Sequence, residues 1–396
     1  MLKIMAVNAG SSSLKFKLMN MPEESVITEG VIERIGAEDA YYTIKINGNK
    51  QKQVLPVRNH SEAVNLLLND LVGKNIVASL MEIKGIGHRI VQGGAYFSDS
   101  ALITPKAIEI IRDYCSLAPL HNPANLIAIE AFQNALPGVP NVAVFDTSFH
   151  QTMEPEAYMY AVPYEWYTKY NIRKYGFHGT SHKYVSHKIA EVLGKPLADL
   201  KVITLHIGNG ASIAAIKNGK VVDTSMGLTP LEGIPMGTRS GNIDPTIVEF
   251  ICNKEHLSVS QVLAILNKKS GYLGVSGFWN DSRDLEEEVA KGNARCRLAL
   301  DVQYKRIVDY IGSYYLYMGG LDVLVFTAGI GENSISFRKD IINRLGALGI
   351  VLDEEANNTR GKIKEITKPE SKVRAFIVPT DEEVMIARDT VRLANL

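Results

Sequence analysis

Residues 3–19 read KIMAVNAGSSSLKFKLM and residues 201–216 read KVITLHIGNGASIAAI, and the order these two stretches share decides the fold. In the first, an apolar run (Ile4 to Val7) enters a small-residue turn, Asn8-Ala9-Gly10-Ser11-Ser12. It leaves by a second strand (Leu14 to Met19) and, after another turn, meets a third (Val26 to Ile32). In the second, Val202 to Leu205 enters His206-Ile207-Gly208-Asn209-Gly210 and Ser212 to Ile216 follows. An Asn218-Gly219 pair of the two-residue hairpin type then leads to Val221 to Thr224. Strand, glycine turn and hairpin recur in one order within residues 3–36 and 201–227, which indicates a duplicated unit. Further buried-strand runs, Val142 to Phe145 and Val323 to Phe326, alternate with helical patterns. The clearest of these, Leu300, Tyr304, Ile307, Val308, Ile311, Tyr315 and Met318, keeps three-four spacing and stops at Gly319-Gly320. The chain therefore reads as α/β. One domain is expected over 1–150 and a second over 151–380, with a final helix 381–396 packing back on the first and a ligand cleft between the halves.

At 396 residues, 46% of them hydrophobic, the chain exceeds what one core supports, in keeping with two domains. Lysine plus arginine (43) balances aspartate plus glutamate (43), so no global field draws nucleic acid or an anionic membrane, and the expected partner is a small molecule. No apolar run approaches the ~20 residues that span a bilayer. Met1 to Val7 enters a polar stretch too early for a signal peptide, which predicts a cytoplasmic protein. Cys115, Cys252 and Cys296 lack metal spacing and are read as core residues.

Three glycine-rich turns follow predicted strands: Asn8 to Ser13, Gly208-Asn209-Gly210, and Ala328-Gly329-Ile330-Gly331-Glu332-Asn333 ahead of a helix over Ile335 to Leu345. Glycine admits backbone N–H groups close to phosphate oxygens, and hydroxyls and Lys15 add donors and charge. No Gly-Lys-Ser/Thr makes any of them a P-loop, and Gly329-Ile330-Gly331 lacks the third Rossmann glycine. Other residues have structural readings of their own. Arg89 and Arg239 read as loop arginines, and Asp146 ends a strand, where aspartate serves turns and caps. His178 and His182 lack the Glu of a metalloprotease motif, and Gly179 disfavours a helix between them. Thr380 with Glu383 reads as a capping box for the last helix, which leaves Glu382 unexplained.

The segments Val7 to Lys15 and Gly87-His88-Arg89-Ile90-Val91-Gln92-Gly93-Gly94 resemble the two signature motifs of the acetate kinases. Leu120-His121-Asn122-Pro123, Phe145-Asp146-Thr147, Tyr175 to His182, Gly237-Thr238-Arg239-Ser240-Gly241 and Pro379-Thr380-Asp381-Glu382-Glu383 are similar to further stretches of that family, so the resemblance spans essentially the whole chain. Gln92 departs from it, since many relatives carry histidine there. The resemblance implies duplicated ribonuclease-H-like domains of the actin/sugar-kinase/Hsp70 type, with mixed sheets flanked by helices, the first serving the acyl substrate and the second the nucleotide. It implies a homodimer, Mg2+ with Mn2+ as the alternative, and phosphoryl transfer from ATP to acetate.

Carried onto these residues, the resemblance gives Arg89 to the acyl substrate, Asp146 to the catalytic centre, Arg239 and His178 to the transition state, and His121 to the active site. Val91, Leu120, Phe177 and Pro230 would surround the methyl end of the acid. Lys15, Ser12 and His206 to Gly210 would meet the phosphates, and Asp281-Ser282-Arg283 with Gly329 to Asn333 the adenosine. Asn8 and Glu382 would meet the metal, with Glu383 as the alternative. A carboxylic acid with a pKa of about 4 to 5 is already ionised at neutral pH, so Asp146 is assigned to orienting an arginine or the metal shell rather than to abstracting a proton. The rival readings are a propionate or butyrate kinase and an ATP-switched binding protein of the actin or Hsp70 type.

Overall fold

The run Ile4 to Val7 is buried because its strand, β1 (Leu2–Gly10), lies inside a sheet and not at its edge, with helices Asn122–Ala135 and Glu382–Ala394 packed on it. The computed structural model describes residues 2–119 and 121–396, which divide into two units, Met1–Phe149 with Asp381–Leu396 and His150–Thr380. In the first unit β1 pairs antiparallel with β2 (Ser13–Met21), and β2 with β3 (Ser25–Glu33). The hairpin β4 (Tyr41–Ile46) and β5 (Asn49–Val54) continues this ladder, turning at Asn47 and Gly48 with φ of 49° and 82°. On the other side of β1, β6 (Ile83–Ile90), β7 (Ala101–Leu102) and β8 (Asn141–Phe145) complete an eight-stranded sheet among the described residues. Its order is β5-β4-β3-β2-β1-β6-β8-β7, with β6 and β8 parallel to β1.

The second unit repeats the pattern. β9 (Lys201–Ile207), β10 (Ala211–Lys217) and β11 (Lys220–Thr224) form an antiparallel meander. β12 (Val323–Thr327) and β14 (Arg374–Ile377) run parallel to β9, and β13 (Lys364–Glu365) borders β14, giving β11-β10-β9-β12-β14-β13. Thus β3-β2-β1-β6-β8 and β11-β10-β9-β12-β14 share order and direction, so the duplication extends well past the hairpins that disclose it in sequence. Both units are α/β, with mixed sheets flanked by helices. In each, three parallel strands point their carboxyl ends the same way, the position at which α/β sheets carry their ligands.

Helix Glu382–Ala394 packs on β1, β6 and β8 of the first unit. The approach depends on Gly87, where any Cβ would strike Ile386 and Thr390. This helix is not opened by Thr380. Asp381 is its N-cap, accepting from Val384 N at 3.1 Å, because the Thr380 hydroxyl is 2.9 Å from Ser181 Oγ and Glu383 lies 3.5 Å from Lys17. Gly179 likewise begins a helix, Gly179–Leu193, whose N-cap is His178 in the left-handed conformation, so His182 stands inside it. Helix Ala294–Met318 ends at Gly319 as its spacing predicts, and it buries Tyr304 as expected, although Tyr314 and not Tyr315 is buried near its end. Of the cysteines only Cys296 is buried; Cys115 and Cys252 are partly exposed. Among the described residues no helix is long and apolar enough to cross a membrane.

One packing feature makes stability depend on pH. His88 on β6 is 2% exposed, donates from Nε2 to Asn141 Oδ1 at 2.7 Å, and meets the edge of Phe132. Burial lowers its pKa from 6.5 to about 4, with the Asn141 contact opposing weakly. The folded state thus holds the neutral ring while the unfolded chain takes up a proton. The stability His88 contributes is full above pH 6.5 and lost as pH falls towards 4. We expect a loss of about 2 kcal/mol from this residue between pH 7.5 and pH 5. Urea unfolding of His88→Gln, which keeps a donor but does not titrate, should show a correspondingly flatter pH profile. Equal slopes in the two proteins would exclude His88 as the source.

Candidate functional site

In the first unit the site forms where β6 and β8 end. The parallel register sets Arg89 beside Val144, and Asp146 N donates to Ile90 O at 2.9 Å, continuing the ladder one step beyond the strand. Arg89 is therefore a strand residue, not a loop arginine. Its Nε donates to Asp146 Oδ1 at 3.0 Å and its Nη2 to Oδ2 at 2.6 Å, a bidentate pair in which Asp146 is almost wholly buried. Glu382 stands 3.9 Å from Arg89 Nε. Burial opposes the charge on Arg89, but the Asp146 and Glu382 carboxylates overcome it and raise its pKa. Burial pushes the Glu382 carboxyl up to about 7, Arg89 pulls it down, and the Asp146 charge pushes it up again. Glu383 instead serves Lys17.

The first glycine turn is held from behind. Asn125 Nδ2 donates to Ala9 O at 2.7 Å, His60 Nε2 reaches Gly10 O at 2.7 Å, and Ile35 N donates to Ser12 O at 2.9 Å. Asn8 lies opposite Lys15 in the β1–β2 ladder. Asn125 also accepts from Val91 N at 3.4 Å, so one helix, Asn122–Ala135, ties the turn to the segment after Arg89. Its neighbour Asn122 accepts from Gln92 N and donates to Gln92 O, and His121 stands at the helix start. Val91 is 9% exposed; Leu120 lies outside the described residues.

In the second unit, His178 Nδ1 is 2.8 Å from Ser212 Oγ, and its ring stacks on His206 at 4.1 Å. His206 Nδ1 in turn meets Ser181 Oγ at 2.8 Å. Gly210 lies beside two of the candidate residues. A Cβ there would sit 3.5 Å from His178 Nε2 and 3.8 Å from Arg239 Nη1. Arg239 Nη1 donates to Pro230 O at 3.1 Å, and burial alone lowers its pKa; among the described residues no carboxylate pairs with it. Phe177, beside His178, is buried.

A cavity of about 540 Å³ gathers three of the predicted segments: Gly208 and Asn209, Asp281 to Arg283, and Gly329, Ile330 and Asn333. Asp281 caps helix Ser282–Ala290 and holds Arg283 through two bonds of 3.0 and 2.6 Å, which lower its carboxyl pKa. Residues 328–333 are not a turn but a short helix, Ala328–Asn333. Glu332 points back from it, accepting from Ala328 N at 2.8 Å and Thr380 N at 3.1 Å. Ile207 and Gly331 are buried behind the cavity wall. Sequence reading missed Tyr272, Asn280, Glu286 and Arg360, which also line the cavity, because nothing local marks them. Arg360 donates to Asn333 O.

A family profile described as the acetokinase family matches residues 3–388. The chain is 57% identical over 392 residues to an acetate kinase of Chlorante-Aster yellows phytoplasma, covering 99% of this chain and 95% of the relative. The crystal structure of Porphyromonas gingivalis acetate kinase superposes with a TM-score of 0.95 at 45% identity, covering 100% of both chains. A propionate kinase from Francisella tularensis subsp. tularensis SCHU S4 follows at 0.94 and 42%, covering 99% of this chain and 100% of its own.

Proposed function

The chain belongs to the acetokinase family, and from that membership we propose that it transfers a phosphoryl group between ATP and acetate, giving acetyl phosphate and ADP by direct in-line displacement. The observation that carries the reading is identity of 57% with an acetate kinase along nearly the whole chain. The geometry supports a division of labour. Arg89, held charged and aimed by Asp146, would bind the carboxylate. The 540 Å³ cavity is of a size to take the nucleoside, and Lys15, Ser12 and the Gly208–Gly210 turn would meet phosphates. His178 Nε2 and Arg239 Nη1, both beside Gly210, would stabilise the equatorial oxygens in transfer. The acceptor arrives ionised, so no base is needed.

Among the described residues no three carboxylate, histidine or cysteine side chains gather as a metal cage. The donors on hand, the Glu382 carboxylate and the Asn8 amide oxygen, are hard and few, which suits Mg2+, or Mn2+, taking its remaining ligands from phosphate and water. Such an ion would neutralise phosphate charge during transfer. The resemblance also supports a cytoplasmic homodimer.

Turnover of ATP that depends on added acetate, with the product trapped as the acyl hydroxamate, tests the proposal. Acetate-independent hydrolysis would sink it in favour of an ATP-switched binding protein, and GTP run alongside fixes the nucleotide. The likeness to a propionate kinase makes acyl length the second question. Val91, Phe177 and Pro230 are the described residues we assign to the methyl end, and each extra methylene should cost ~1–3 kcal/mol there. We expect Val91→Ala to lower KM for propionate and leave kcat with acetate within about threefold. An unchanged propionate-to-acetate ratio of kcat/KM would remove Val91 from the pocket.

A further inference from the structure

Ser212 is completely buried on β10, directly opposite His206 in the ladder, and its hydroxyl stands between two imidazoles. Ser212 Oγ is 2.8 Å from His178 Nδ1 and 2.8 Å from His182 Nε2, and His182 Nδ1 is 2.6 Å from Thr204 Oγ1. Four groups from three elements thus form one chain: Thr204 on β9, His182 in helix Gly179–Leu193, Ser212 on β10, and His178 at the start of that helix.

A hydroxyl has one proton, so Ser212 donates to one ring and accepts from the other. His182 is 0% exposed; burial, aided by His150 and His206, keeps its ring neutral with a single N–H. The two constraints lock the chain into one of two directions. If His178 is to donate from Nε2, the atom that faces Gly210, its Nδ1 must accept from Ser212. Ser212 then accepts from His182 Nε2–H, and His182 Nδ1 accepts from the Thr204 hydroxyl. In the opposite direction every proton reverses, and His178 would present a lone pair to a group gathering negative charge.

We propose that Ser212, backed by His182 and Thr204, is a positioning residue that holds His178 in the tautomer carrying its proton on Nε2, ready to donate to the phosphoryl group in transfer. This rests on reading His178 as that donor. Thr204 permits this direction because a hydroxyl, unlike a backbone carbonyl, can give a proton to His182 Nδ1.

The test is steady-state kinetics of the full chain carrying Ser212→Ala, Thr204→Val or His178→Ala, each as a ratio to the unsubstituted protein from about pH 8 to about pH 5.5. Ser212→Ala should lower kcat by ~10- to 100-fold at the upper pH, the loss expected for one misdirected hydrogen bond, with both KM values within about threefold. Acid supplies the discriminating readout. Once the His178 ring takes a second proton, Nε2 carries hydrogen whatever Ser212 does, so the deficit should shrink by at least about fivefold at the lower pH. The charged or titratable groups facing that ring include His206 stacked on it, His182 through Ser212, and Arg239 near Gly210, and all three remain in the Ser212 and Thr204 variants. Thr204→Val should show a smaller deficit with the same trend, and it carries the test if Ser212→Ala does not fold. A deficit constant across pH, or none, overturns the proposal. Should His178→Ala keep full kcat, the reading of His178 as donor falls, and this inference with it. Impaired His178→Ala beside a normal Ser212→Ala overturns the inference alone.

Discussion

Arg239→Ala should lower kcat by ~10³ or more while nucleotide affinity stays within a few-fold, the range for removing an arginine that stabilises phosphoryl transfer. Among the described residues the Arg239 side chain donates to one carbonyl, Pro230 O, and to the thioether of Met236, and no carboxylate neutralises it. A partly buried cation left without a counter-ion costs stability, and a transferring phosphoryl group would supply the missing charge. The loop that holds it is over-determined. Met236 N donates to Arg239 O, Ser270 N donates to Thr238 O, and Gly271 at φ 59° lies so close to Met236 O and Arg239 O that a Cβ would overlap them. Alanine at 239 should therefore leave the loop in place and remove the cation alone. Calorimetric titration with ADP and the rate at saturating acetate separate the two effects. A folded variant with near-normal kcat would remove Arg239 from the mechanism.

Local signals were legible and distant pairings were not. The strands around residues 4–7 and 202–205 declare themselves because apolar runs ending in glycine need no partner to be read. Asn218-Gly219 was read as a hairpin, yet the equivalent Asn47-Gly48 was not. The strand after it, Asn49–Val54, is exposed throughout and carries no alternation to frame the turn. Ala328–Asn333 hid its helix behind two glycines; what steadies it is the Glu332 carboxylate on Ala328 N and on Thr380 N, a residue from far along the chain. Thr380 was expected to cap the last helix, but Ser181 occupies its hydroxyl and Asp381 does the capping. The partners of the candidate site obey the same rule. Asp146 was recognised as an orienting group, but that Arg89 is what it orients follows only from the register of two parallel strands. Ser212 reads in sequence only as the start of a strand, since a serine there means nothing more until the ladder sets it between two histidines.

That register also fixes the second large effect. Asp146→Asn should lower kcat/KM for acetate by ~10²–10³, because one partner of a buried, doubly bonded charge pair is removed. Asparagine retains one acceptor for Arg89, but its amide nitrogen would face a guanidinium N–H, so the fork turns away or settles on Glu382, 3.9 Å from Arg89 Nε. Either movement takes the cation off the line along which it would hold the carboxylate. The variant bears also on the role of Asp146. An ionised acceptor has no proton to lose, so an orienting Asp146 predicts a deficit of similar size at every pH. A general base predicts recovery as hydroxide takes over at high pH. Glu382 does not confuse the comparison. The Asp146 charge is one of the forces raising the Glu382 carboxyl to about 7, so its removal favours ionised Glu382; any effect on the ratio then falls at the acid end of the range and runs opposite to a general base's recovery at high pH. Rates across pH 6 to about pH 9.5, each at saturating ATP, decide between the two roles. A deficit that closes with rising pH would return Asp146 to proton transfer, and Arg89 would then need another group to aim it.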